Sequence, residues 1–336
     1  MSAENVEVEA DDDGIRLDRW FRRHYPALGH GALEKLLRTG QVRLDGKRAK
    51  ASERLTAGQM LRLPPQLKSA TEASTNPQGK HPQAGEKERT FAEGLVIHKD
   101  PAVLVLNKPS GLASQGGSGI TKHIDGMLDL LAFGKKQRPR LVHRLDRDTS
   151  GVLVVARNVP AAAALAKSLA QRDAQKIYWA LVKGVPKKKS GTIKLALAKE
   201  GGHGPHGRDE KMVAKQPGDK TAQYALTDYV VVDQAGEEYA WIAAKPLTGR
   251  THQIRVHLAS LGTPIAGDFK YGGAAARGSG DIADTLHLHA RSIDIAHPDG
   301  GRLKVTAPLP PHMAKSFRFL GFNESDARDL FGRRKP

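Results

Sequence analysis

Asp146 is flanked by two arginines in the run His143-Arg144-Leu145-Asp146-Arg147-Asp148-Thr149-Ser150-Gly151. An apolar stretch, Gly-Val-Leu-Val-Val-Ala at 151–156, follows at once and has the composition of a buried strand. The pattern predicts a carboxylate held at a strand edge in basic surroundings, a setting suited to chemistry on a polyanion. Taken alone, Asp148-Thr149-Ser150-Gly151 is also ordinary turn chemistry before a strand. The rest of the chain decides between the two.

Two further groups deserve the same scrutiny. Tyr178 lies in a run, Lys-Ile-Tyr-Trp-Ala-Leu-Val-Lys-Gly at 176–184, that alternates as a strand; pattern alone makes it a half-buried β-residue. The string Thr248-Gly249-Arg250-Thr251-His252-Gln253-Ile254-Arg255-Val256-His257 gathers two arginines and two histidines, and Asp268 and Tyr271 follow shortly after. His252 and His257 are five apart, which shares neither a helix face nor a strand face, so the spacing disfavours zinc. His203 and His206 sit in a glycine-rich, basic stretch without carboxylate or thiolate partners, and a mobile loop facing a polyanion is the expectation there. The segment Gln115-Gly116-Gly117-Ser118-Gly119 follows a strand pattern but lacks a GxGxxG or Walker-type arrangement. No metal is expected.

The elements that must position these groups divide the chain unevenly. Lys and Arg number 53 against 36 Asp and Glu, a formal charge of +17, which points to nucleic acid ahead of a membrane surface. No apolar stretch reaches the roughly 18–20 residues of a membrane span, and the acidic N-terminus lacks a signal-peptide core. With no cysteine there is no disulfide, thiolate metal site or cysteine nucleophile, and a cytoplasmic location is expected. Residues 1–13 read as a tail. Residues 14–64 read as a small α/β domain with helices near 16–25 and 31–39, and between 16 and 62 twelve Lys/Arg face four Asp/Glu. Residues 65–92, poor in large apolar side chains, read as a flexible linker. A β-rich domain is expected over 93–310, and a helix with a basic tail over 311–336.

The nine-residue string around Asp146 resembles the signature of the RluA-type pseudouridine synthases, and three further segments match that family in order. Asn107-Lys108-Pro109-Ser110-Gly111-Leu112 resembles its first motif, the run around Tyr178 its tyrosine motif, and the run from Thr248 to His257 its third motif. Many members carry a histidine near Ser114 or Gln115, which this chain lacks. Arg16-Leu17-Asp18-Arg19-Trp20 with the segment 40–47 resembles the RNA-binding domain named after ribosomal protein S-four. The attached domain, Leu61-Arg62-Leu63-Pro64-Pro65, the run 105–111 and Gly116-Gly117-Ser118-Gly119 lean toward the RluC branch, which acts on large-subunit ribosomal RNA.

The resemblance implies a mixed, mostly antiparallel sheet with flanking helices and a central cleft, where periodicity alone says only α+β. It assigns Asp146 as the catalytic carboxylate, Tyr178 as the residue stacking on the target base, and Arg255 as the cation paired with Asp146, where an opposite charge favours the ionised carboxylate. Arg144 is expected to fill the space left by the flipped nucleotide. His143, Arg250, Asn107 and Lys108 are expected to support the site. Lys35, Arg38, Arg43, Lys47 and Arg48 are candidates for contacts that position RNA without reading its sequence. The reaction implied is conversion of uridine to pseudouridine, with Asp146 either attacking the sugar or steering loss of the ribose 2′-proton through a glycal. It needs no organic cofactor. The expected partner is large-subunit ribosomal RNA or its assembly intermediate, the protein is expected to act as a monomer, and no membrane is involved. An RluD-like or transfer-RNA synthase, or a non-catalytic RNA-binding assembly factor, are the competing readings.

Overall fold

The structure, a computed structural model, describes residues 4–9, 12–25, 28–67, 85–117, 120–171, 173–201, 211–216, 218–328 and 330–331. What the sequence suggests for residues 68–84, Ser118, Gly119, His203 and His206 lies outside them. The chain forms two compact units, 1–84 and 85–336.

The first unit is built on helix α1 (Leu17–His24) and helix α2 (His30–Arg38) over a small sheet. Leu17, Trp20 and Phe21 recur at helical spacing and are buried, as are Leu33 and Leu37 of α2. The sheet comprises β1 (Glu4–Glu7), β2 (Arg43–Leu44), β3 (Lys47–Arg48) and β4 (Met60–Leu63), in the order β1-β4-β2-β3. In β4 Leu61 and Leu63 point into the core and Met60 and Arg62 outward, the period-two pattern of a sheet open on one side. The N-terminal segment expected as a tail therefore supplies β1, whose Glu4 to Glu7 pair with Leu63 to Met60. The ends of the expected linker are also structured, as a 3-10 turn Pro65–Leu67 and helix α3 (Glu86–Gly94).

The second unit is one large sheet. Its strands are β5 (Val96–Lys99), β6 (Val103–Lys108), β7 (Arg140–Leu141), β8 (Ser150–Ala156), β9 (Gln175–Lys183), β10 (Ser190–Glu200), β11 (Lys211–Lys215), β12 (Gln223–Ala235), β13 (Tyr239–Pro246), β14 (Leu288–Ala296) and β15 (Arg302–Thr306). The order is β11-β10-β12-β13-β9-β14-β8-β6-β5, with β15 on β14 and β7 on β8. The pairings are antiparallel except β14 with β8, so the mixed, mostly antiparallel sheet expected from the resemblance is what forms.

Every residue of β8 is buried because both faces are covered. Val152 and Val154 pack with Val103 and Val105 against Leu165 of helix α5, while Leu153 and Val155 pack with Leu104 and Leu106 against Ile124, Leu128 and Leu131. Here α4 is Ile124–Met127 and α5 is Val159–Ala170. Each such leucine stabilises the fold by about 1.5–3 kcal/mol. Asn158 caps α5 by accepting the Ala161 N–H at 2.8 Å.

The parallel contact of β8 with β14 is short, Ser150 opposite His289 and Gly151 opposite Ala290. Gly151 has φ +109°, and a Cβ there would lie 2.2 Å from the Ala290 carbonyl oxygen. Only glycine allows this approach. Helix α8 (Pro311–Leu320) is part of the core rather than a separate terminal piece: Met313 and Phe317 pack with Trp179 and Trp241. Helices α6 (Gln253–Ser260) and α7 (Phe269–Gly272) complete the unit, and α6 packs through Ile254 and Leu258 on the sheet.

Candidate active site

Asp146 lies in the loop between β7 and β8, and a second loop holds that loop from beneath. Lys108, wholly buried at the end of β6, donates its ammonium to the carbonyls of Pro109 (2.9 Å), Leu112 (2.7 Å) and Arg147 (2.8 Å). Burial pushes Lys108 down to about 8, against the pull of Asp148 and Asp146. Ser110 donates to the Asp148 carbonyl, and the Gly111 N–H to that of Arg147. Ser114 donates to the Leu145 carbonyl at 2.8 Å and accepts the Leu145 N–H at 3.0 Å, saturating the main chain next to Asp146. The main chain on both sides of the carboxylate is thus fixed by hydrogen bonds from 108–114.

The Asp146 side chain remains 23 % exposed and lines a cleft of about 1240 Å³. Tyr178 of β9 lines the same cleft, opposite Ala244 of β13 and Ala290 of β14, two small neighbours that leave its ring room. Burial and the Asp146 charge raise its hydroxyl pKa, so the phenol stays protonated. Arg144 is exposed at the cleft, and among the described residues no hydrogen bond or ion pair holds its guanidinium. Arg250 is exposed on the rim, its Nε donating to the Tyr224 carbonyl at 3.3 Å.

Two expectations change, those for Arg255 and Asn107, and the role of His143 becomes specific. Arg255 forms its ion pair with Asp268 rather than Asp146: Nε and a terminal nitrogen donate to the two carboxylate oxygens at 2.8 and 2.7 Å. Asp268 presents both oxygens from the cap of α7, and this two-pronged match outcompetes a single longer contact. Burial opposes the Arg255 charge, yet the Asp268 bonds overcome it and hold its pKa above the ordinary value, with a further contribution from the Asp146 charge. Asn107 faces away from the cleft and donates to the Pro308 carbonyl at 3.4 Å, because the β6 pleat turns it from the side that carries Lys108. His143 lines the cleft, but its Nε2 accepts the Val154 N–H at 2.8 Å; burial, aided by the Lys176 charge, pushes it to about 4, so it serves as a neutral acceptor for β8.

His252 is the residue to which the sequence assigns no role. It starts α6 in the left-handed region, φ +52°, with Nε2 3.9 Å from Asp146 Oδ2 and Nδ1 2.6 Å from the Tyr271 hydroxyl. The segment Asp268 to Tyr271 was visible as a string, but only the fold brings it beneath His252 and Arg255.

In the first unit Lys35 and Arg38 are exposed on α2, and Lys47 and Arg48 are exposed on β3. Arg43 is half-buried and donates to the Gly40 and Gly46 carbonyls, so it braces its own hairpin. Among the described residues no cluster of His, Asp or Glu is arranged to hold a metal ion, and no helix is long and apolar enough to cross a membrane.

Residues 102–260 match the family described as RNA pseudouridylate synthase. RNA pseudouridine synthase 4, mitochondrial, of Arabidopsis thaliana is 34% identical across 94% of this chain and 82% of its own. Ribosomal large subunit pseudouridine synthase C of Vibrio parahaemolyticus is 33% identical across 92% of this chain and 94% of its own. Among solved structures, Human RNA Pseudouridylate Synthase Domain Containing 4 is 29% identical, with a TM-score of 0.58 over 70% of this chain and 97% of that one.

Proposed function

The chain belongs to the RluA-type RNA pseudouridine synthases, and from that premise we propose that it isomerises uridines of large-subunit ribosomal RNA, with Asp146 as the reacting carboxylate. The observation that carries this reading is the placement of Asp146: its main chain is clamped from 108–114, and its carboxylate lines a cleft that it shares with Tyr178 and Arg144.

Isomerisation breaks the N1–C1′ bond and forms C5–C1′; the C5 hydrogen leaves as a proton and N1 gains one, with no net oxidation. An anionic side chain at the sugar stabilises the cationic character that develops at C1′ as the base departs. Protonated Tyr178 offers a flat face to the base without adding charge. Arg144 enters the stack vacated by the flipped nucleotide. The first unit acts as an S-four-type domain, with Lys35, Arg38, Lys47 and Arg48 holding phosphates, and Arg43 shaping the hairpin that presents them. The relative named ribosomal large subunit pseudouridine synthase C supports the choice of RNA. A cytoplasmic site of action goes with that choice.

The test is tritium release from RNA labelled at uridine C5, with large-subunit ribosomal RNA and transfer RNA as parallel substrates. Wild type should release tritium from the former, and Asp146→Asn should release none while binding RNA within about twofold of wild type. Release from transfer RNA alone overturns the substrate, and turnover by Asp146→Asn overturns the assigned residue.

A further inference from the structure

The His252 ring is held between two oxygens, with Nδ1 2.6 Å from the Tyr271 hydroxyl and Nε2 3.9 Å from Asp146 Oδ2. Tyr271 itself has little freedom. Its ring lies 5.0 Å from the Arg255 guanidinium, its main-chain N–H donates to Asp268 Oδ1 at 3.3 Å, and its hydroxyl accepts the Met212 N–H of β11 at 3.1 Å. A hydroxyl has one proton to give. With a main-chain donor already on its oxygen, its own proton is free for Nδ1 of His252. A neutral imidazole whose Nδ1 accepts must carry its proton on Nε2, the nitrogen that faces Asp146.

We propose that Tyr271 and His252 form a fixed relay of donors, from Met212 N–H to the Tyr271 hydroxyl to His252 Nδ1, that turns the His252 Nε2–H toward Asp146 and orients its carboxylate. His252 is then a positioning residue, and the β10–β11 hairpin is a support of the active site rather than a surface appendage. The 3.9 Å separation is longer than a hydrogen bond; a shift of about 1 Å in the carboxylate makes it one. The opposite tautomer would aim a lone pair at the carboxylate and push it away. Asp146, Asp268, Arg255 and Lys270 are the charged groups acting on the ring, and burial lowers its pKa despite the two acids, which keeps the neutral form available.

This inference builds on the reading of Asp146 as the reacting carboxylate, and its test separates the two. Histidine-ring ¹⁵N spectra of the wild-type protein, with His252 assigned by comparison with His252→Asn, should show the Nε2–H tautomer at neutral pH. Tyr271→Phe keeps the ring and loses only the oxygen. It should give a mixture of tautomers and lower kcat about tenfold, with KM for RNA within twofold of wild type. An Nδ1–H tautomer or a charged ring in the wild type overturns the relay, whatever the variants do. So does an unchanged kcat in Tyr271→Phe, or a loss confined to KM. If Asp146→Asn retains turnover in the same assay, the reading of Asp146 falls; if it is inactive while Tyr271→Phe is fully active, only the relay falls.

Discussion

Lys108 and Arg147 meet through the main chain rather than through their charges: the buried Lys108 ammonium donates to the Arg147 carbonyl at 2.8 Å, one residue beyond Asp146. One side chain thereby ties the end of β6 to the loop that carries the carboxylate.

Replacing that side chain should cost both stability and turnover. Lys108→Met fills similar volume but takes a charge-assisted bond worth about 1.5–3 kcal/mol from each of the carbonyls of Pro109, Leu112 and Arg147, of which the last keeps the Gly111 N–H. Denaturant titration should report a loss of at least about 3 kcal/mol. Tritium release should fall more than tenfold at saturating RNA.

Asp268→Asn should leave the Arg255 charge buried without its partner, at a cost of about 3–5 kcal/mol. Asp268→Asn combined with Arg255→Met removes both charges and should recover part of that loss. A double variant no more stable than the single would show that Arg255 finds another partner, and urea unfolding of all three proteins decides the matter.

No hydrogen bond or ion pair holds the Arg144 guanidinium among the described residues, so Arg144→Ala should leave thermal unfolding unchanged. Its effect should fall on RNA whose target uridine is stacked. A few kcal/mol of unstacking corresponds to a loss of about 100-fold in kcat/KM there. A short single-stranded substrate, already unstacked, should lose far less, and steady-state kinetics on the two RNAs provide the comparison.

Acid should unfold the second unit early. Burial is the main cause that holds His143, His257, His287 and His289 at about 4, whereas unfolded histidine titrates near 6.5. The unfolded chain therefore binds more protons as the pH falls from 6.5 to 4, so stability is full above that window and is lost through it. Urea midpoints measured from pH 7 to 4 should drop steeply. His289→Asn, which retains an amide able to meet Ser150, should flatten the slope by about one proton.

Much of the site was legible wherever its residues are contiguous. Asp146 and Arg144 stand in one string, and the buried run 151–156 announces the strand behind them. Tyr178 was not separable by pattern from any half-buried tyrosine in a strand, and only the resemblance singled it out. The Arg255 partner lies thirteen residues downstream across the turn into α7, a distance over which spacing carries no information. Asn107 illustrates the converse: it is adjacent to Lys108, yet the pleat sends the two side chains to opposite sides. His252 acquires its setting from a left-handed backbone and a tyrosine from another helix, neither of which periodicity records. Strand β1 is not legible in the sequence because four residues, half of them glutamates, carry almost no apolar signal until β4 pairs with them.

The brief parallel seam between β8 and β14 has a bearing on how the molecule assembles. Ser150 and His289, joined there by a 2.9 Å hydrogen bond, are 139 residues apart in the chain, while the β12–β13 and β14–β15 hairpins form from local segments. Closing so long a loop is entropically costly, and contacts of this kind slow folding. The seam and the β9–β14 pairing beside it, where Leu288 faces Ala180, are therefore the late closures of the sheet, and together they bring the Asp146 loop beside Tyr178. Chains that have folded every hairpin but not this seam would have full secondary structure and no active site, so recovery of turnover after dilution from denaturant should lag behind recovery of the far-ultraviolet signal.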